Sequence, residues 1–213
     1  VSTAVSPSLA DVTSVAALSA VTVTAMRSST IIALTNAAAT TISTLAAVAG
    51  ATLGGFQMEA KETARVTDIM AASFSSTPLD ITTFQESMKA VAPVALSAGV
   101  SIEQTTAMLG VMAKAGIVGS AAGTGLRRIL SELGKTGGDV GEELRKLGSK
   151  GLDMSEAMDL VGKNAYSSLL VLANGTPLMD ELTTAFENSE GAAKATADTM
   201  NAGAEGGIKE MIS

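Results

Sequence analysis

From Gln57 onward the apolar residues recur three and four apart, and glycine, asparagine or proline interrupts them at short intervals. That period matches one face of an α-helix and not the alternation of a strand. In "MEAKETARVTDIMAASF", Val66, Ile69, Met70 and Phe74 form one stripe, with Glu59, Lys61, Glu62 and Arg65 toward water. Asp80 is placed to cap the next helix, whose stripe is Ile81, Phe84, Met88, Val91 and Ala95. Pro93 is expected to kink that helix and Gly99 to stop it. Ser101 and Gln104 have capping-box spacing, and Gly116 closes the helix they open. Leu126, Ile129, Leu130 and Leu133 mark a fourth helix, ended by Gly134, Gly137 and Gly138. Shorter helical pieces follow in "VGEELRKLG", "SEAMDLVG", "AYSSLLVLA" and "PLMDELTTAFEN". No strand pattern appears after residue 57. The expected class is all-α: short to medium helices, Gly-rich turns and close packing of small residues.

Composition narrows the function. A chain of 213 residues suits one domain or one and a half, and can bury about 70% of its unfolded surface. Hydrophobic residues make up 46% but aromatics only 2%, which favours closely packed helices over a flat-walled ligand pocket. There is no Cys, Trp or His. That rules out disulfides, Cys/His zinc sites, a Ser-His-Asp triad and any histidine base. No cofactor and no metal are expected. The formal charge of −7 argues against specific nucleic-acid binding. Met88, Met108, Met112, Met154, Met158 and Met179 fall mostly on apolar faces and read as core filler.

Three segments are expected. Residues 1–56 carry only Asp11 and Arg27 as charges and form an Ala/Thr/Val-rich helical segment. Residues 57–205 form a helical core domain, and 206–213 a tail running on into absent sequence. The chain starts at Val1 without a basic-then-apolar leader pattern, so a piece of a longer protein is expected. The uncharged run 28–58 is long enough to span a bilayer. However, Thr35, Asn36, Thr40, Thr41, Ser43 and Thr44 give its helix a weakly polar face. Insertion of residues 28–58 into a membrane, as in a pore-forming protein, is the alternative function.

The stretch "AKAGIVGSAAGTGLRRIL", residues 113–130, combines glycines with two arginines. It is no phosphate loop. Gly134-Lys135-Thr136 lacks the first Walker glycine, where Ile129 stands, and "GTGLRR" lacks the third glycine of a dinucleotide fingerprint. The carboxylates Asp139, Glu142, Glu143, Asp153, Glu156, Asp180 and Glu181 lie beside lysines and arginines on solvated helix faces, a poor setting for acid–base work. A peptidoglycan hydrolase built on Glu142 and Glu143 is disfavoured on the same ground. Close packing fits better. Gly50 with Gly54, and Gly119 with Gly123, are spaced as G-x-x-x-G, and Ser120 and Thr124 widen the second strip. Arg127 and Arg128 would be costly in lipid. The expected site is therefore a helix junction for self-association made of Gly116, Gly119, Ser120, Gly123, Thr124, Arg127 and Arg128. Its arginines should bond exposed carbonyls, or carboxylates across an interface. No catalytic residues are assigned.

The segment "MKAVAPVALSAGVSIEQTTAMLGVMAKAGIVGSAAGTGLRRIL" resembles the core of phage tail tape measure proteins. Ala92 to Ala95 match the family's first helix, and Gly99, Ser101, Glu103, Thr106 and Ala107 match its second helix start. Ala115, Gly116, Ile117, Gly119, Ser120, Ala122, Gly123, Thr124, Leu126 and Arg127 match its glycine-rich junction. "GKNAYSSLLVLANG" and "ELTTAFENSEGAAKATADTMN" resemble its closing segment in the right order. Lys114 and Gly125 depart from the usual Asn and Ala. The resemblance implies a structural, non-enzymatic virion component that sets tail length, templates tube assembly in the tail lumen and leaves during genome ejection. It also implies three or six copies, contact with tail tube and tail-tip or baseplate hub proteins, and late contact with the host membrane. The location implied is the tail lumen or tip, after assembly in the host cytoplasm.

Overall fold

The computed structural model describes residues 43–199. Contacts divide the chain into two compact units, Val1–Ala46 and Ala47–Ser213, and the features below belong to the second apart from residues 43–46. The helix expected over 28–58 is described only from residue 43, and the tail expected over 206–213 lies outside the described residues.

Helix α1 covers residues 43–55, and a single 3-10 turn, Ala60–Glu62, precedes α2, Thr63–Ser76. Then come α3, Ile81–Ser97, α4, Ile102–Lys114, and α5, Gly119–Leu133. A second 3-10 turn, Gly134–Thr136, leads to α6, Val140–Ser149, and α7, Met154–Val161. Helices α8, Tyr166–Asn174, α9, Thr176–Glu187, and α10, residues 192–199, complete the order. The fold is all-α, with no strand among the described residues.

Local chemistry sets these boundaries. Asp80 accepts from the Thr83 backbone N–H at 2.8 Å, while the Thr83 hydroxyl accepts from the Asp80 N–H at 3.0 Å. That backbone N–H holds the Asp80 carboxyl below its ordinary pKa. Ser101 with Gln104, and Asp153 with Glu156, form the same reciprocal box, and Asp139 caps α6 through the Glu142 N–H at 2.8 Å. Each such cap stabilises its helix by about 1 kcal/mol. Pro93 lies inside α3, which continues to Ser97, so the missing donor does not end the helix.

Helix α4 is the core element. Every residue from Ile102 to Ala113 except Gln104 is buried, which is why the run from Ala107 to Ala113 carries no polar side chain. Helices α2, α3, α5, α8 and α9 surround it. Phe74 and Phe84 meet edge to face with ring centroids 5.7 Å apart. Met88, Met108, Met112 and Met179 are buried as filler. The expectation fails at Met154, which is 55% exposed, and Met158 is only half-buried. Helix α7 is short and buries just Ala157 and Val161, leaving these methionines on its outer side.

One buried polar atom on α4, the Thr106 hydroxyl oxygen, has no hydrogen-bond partner among the described residues. Desolvating a hydroxyl without compensation costs about 1–3 kcal/mol. Thr106→Val keeps the branched shape and removes the orphan. It should raise unfolding stability by about 1 kcal/mol, read as a higher urea midpoint with an unchanged slope.

Candidate helix-junction site

The junction begins where α4 stops. Gly116 has φ +81°, its N–H donates to Ala113 O at 2.9 Å, and the Ile117 N–H reaches back to Met112 O at 2.9 Å. This is the paired closure that satisfies the last carbonyls of a helix, and its left-handed residue favours glycine. Val118 then precedes α5 but offers no side-chain cap. Helix α3 supplies one: Glu86 accepts from the Ser120 N–H at 3.3 Å. A carboxylate at that position also suits the positive end of the α5 dipole.

The glycines of α5 face two neighbours. A Cβ on Gly119 would stand 2.6 Å from the Glu86 carboxylate, and the Gly119 carbonyl accepts from the Ser87 hydroxyl at 2.8 Å. A Cβ on Gly123 would stand 2.6 Å from the Ser87 carbonyl oxygen and 2.8 Å from its Cα. On the other side, a Cβ on Gly125 would be 2.6 Å from the Ser168 hydroxyl of α8. Close approach at residues 119–125 thus joins α5 to α3 and α8 within one chain. The matching spacing at Gly50 and Gly54 does not: a Cβ at either meets nothing within 4 Å among the described residues. The close contact of α1 falls on Gly55 instead, whose Cβ would lie 2.7 Å from that of Ala92.

Ser120, Thr124, Arg127 and Arg128 remain exposed. Arg128 pairs with Glu132 on its own helix at 3.1 Å, and Arg127 has no partner among the described residues. The Lys135 ammonium and the Arg128 charge hold the Glu132 carboxyl below its ordinary pKa. Thr124, Arg127 and Arg128 border a hollow beside the α7–α8 turn.

The carboxylates screened for catalysis serve helix ends and surface pairs. Asp139 and Asp153 are caps, Glu143 pairs with Lys146 at 2.8 Å, and Asp180 takes both Nε and Nη2 of Arg145 at 3.1 and 3.0 Å. Glu156 closes its capping box, while Glu142 and Glu181 are exposed. Among the described residues no cluster of three His, Cys, Asp or Glu could hold a metal.

Two polar anchors were not foreseen. Glu103 is buried at the start of α4 and accepts from Arg65 Nε at 2.7 Å. Asp68 is buried on α2 and accepts from the backbone N–H groups of Gly191 at 3.0 Å and Ala193 at 2.9 Å, capping α10 from across the fold. The available signal was an acidic residue inside the apolar stripe Val66, Ile69, Met70.

Capped helices, small-residue contacts and paired carboxylates define a helical domain organised by protein packing. A family profile described as phage-related minor tail protein matches residues 8–170, and the chain belongs to that family. The tape measure protein of Pneumococcus phage Dp-1 is 34% identical over 189 residues, covering 76% of this chain and 16% of the relative. The probable tape measure protein of Escherichia phage P2 is 32% identical over 177 residues, covering 68% of this chain and 21% of the relative. The chain therefore spans about a fifth or less of the length of these relatives. No solved structure matches. Among the described residues no helix is long and apolar enough to cross a membrane, and residues 28–42 of the candidate inserting segment lie outside them.

Proposed function

We propose that the chain is a folded block of a tail tape measure protein, with residues 57–205 as its core domain. In this role it is a structural virion component that works without a catalytic centre. It sits in the tail lumen or at the tail tip after assembly in the host cytoplasm, helps set tail length while the tube polymerises around it, and leaves during genome ejection. It acts in several copies, three or six, against tail tube and hub proteins. The observation that carries this is the family match over residues 8–170, which includes the whole glycine junction. The two tape measure relatives agree with it.

A folded block contributes little to a ruler. Residues 47–199 laid out as one helix would measure about 230 Å, at about 1.5 Å per residue. Packed as a domain they have a radius of gyration of about 15 Å. The test is in-frame deletion of this block from the full-length protein in an assembling phage, with tails measured by electron microscopy. The expected result is loss of complete tails. Tails shortened by about 230 Å would mark the block as extended ruler, and normal tails in normal number would overturn the structural role.

A further inference from the structure

A hollow of about 570 Å³ lies between α5 and the α7–α8 turn. Thr124, Arg127, Arg128, Ser131, Lys163 and Asn164 contribute to its lining, and no carboxylate among the described residues does. Arg127 and Lys163 are exposed and make no ion pair among the described residues, while Arg128 shares its charge with Glu132. Gly162, with φ +81°, makes the turn that carries Lys163 to this place. Three cations gather here in a chain of formal charge −7. With hydroxyl and amide donors beside them, they suit carboxylates, which arginine binds in a two-point fork.

A second hollow, of about 330 Å³, lies where α2 and α4 meet the α9–α10 connection. Five carboxylates border it against two cations, Lys61 and Arg65. Asp68 and Glu103 are committed to partners inside the fold. Glu187 and Glu190 are exposed and make no ion pair among the described residues. The two hollows share no residue and no helix.

We propose that the Arg127–Lys163 hollow of one copy receives the Glu187–Glu190 turn of a second copy of this chain. The two faces differ, so the contact is head-to-tail and repeats into a ring or a stack. The proposal rests on the multi-copy role suggested above and goes further by naming both faces. Nucleic acid is the poorer occupant, because the rest of the chain repels phosphate.

Sedimentation of the 213-residue chain at low salt tests the contact. The expected result is concentration-dependent association, weakened at least about tenfold by Arg127→Ala with Lys163→Ala, and as much by Glu187→Gln with Glu190→Gln. All four side chains are exposed, and unchanged circular dichroism confirms that the variants fold. Mixing the two double variants restores one intact hollow and one intact acidic turn. They should form a one-to-one complex that grows no further. A wild-type chain that stays monomeric, association insensitive to both variants, or a mixture that stays monomeric would each overturn the proposal. So would capture of a short DNA duplex or a polyglutamate peptide by the hollow without self-association. None of these measurements involves a tail, so their failure leaves the tape measure role to the deletion experiment.

Discussion

Gly123→Leu should cost at least about 3 kcal/mol of folding stability, although leucine is the better helix former by about 0.8 kcal/mol. The cost arises because the first added atom already lies 2.6 Å from the Ser87 carbonyl oxygen and 2.8 Å from its Cα. Both are backbone atoms of α3 and cannot rotate aside. The remaining three carbons of leucine would force α5 off α3 and strip the Glu86 contact from the Ser120 N–H and the Ser87 contact from the Gly119 carbonyl. Total stabilities of domains are about 5–15 kcal/mol, so this is a large fraction. Urea unfolding of the chain is the measurement. Gly50→Ala and Gly54→Ala sit in the same G-x-x-x-G spacing but in open space, and each should instead stabilise by about 1 kcal/mol. A wild-type midpoint for Gly123→Leu would mean that α5 and α3 do not approach as closely as described.

That opposite sign at two identical spacings marks the boundary of what is legible in the sequence. Features decided within one or two turns of chain are readable. The caps at Asp80, Ser101 and Asp153 depend on a side chain three residues from the N–H it accepts from, and the closures at Gly99 and Gly116 depend on one positive φ. The all-α class follows from the same local periodicity. Features decided by which helix lies opposite are not readable. Nothing near Gly50 or Gly123 tells which one faces a neighbour. The Asp68 side chain caps a helix 123 residues further along for Gly191 and 125 for Ala193, a distance over which no local pattern extends. The candidate junction was visible as a set of small residues followed by two arginines. Its partner α3, and the cationic hollow formed when Lys163 arrives beside Arg127, needed the fold.

Gly148→Ala should be the most damaging single methyl group that can be added to α6. Read locally, Gly148 looks like a helix terminator at the end of "VGEELRKLG". In the fold it lies inside α6, which continues to Ser149, and faces α8. A Cβ there would land on the carbonyl oxygen of Ala173, with the Ala173 carbonyl carbon at 3.0 Å and its Cα at 3.7 Å. Two effects compete. Alanine favours the helix by about 1 kcal/mol, whereas a methyl group driven into backbone costs about 3 kcal/mol or more, because one helix must move. The loss should win by about 2 kcal/mol, seen as a lower urea midpoint. The movement would also disturb the packing of α6, which buries Leu144, on α8, which buries Leu169 and Leu172. Arg145→Ala separates this from mere loss of a surface contact. Its fork to Asp180 joins α6 to α9, but both side chains are nearly half exposed, at 48% and 47%, so its removal should cost less than about 1 kcal/mol. If Gly148→Ala costs no more than Arg145→Ala, then α6 does not rest on the Ala173 backbone, and the pairing of α6 with α8 is wrong.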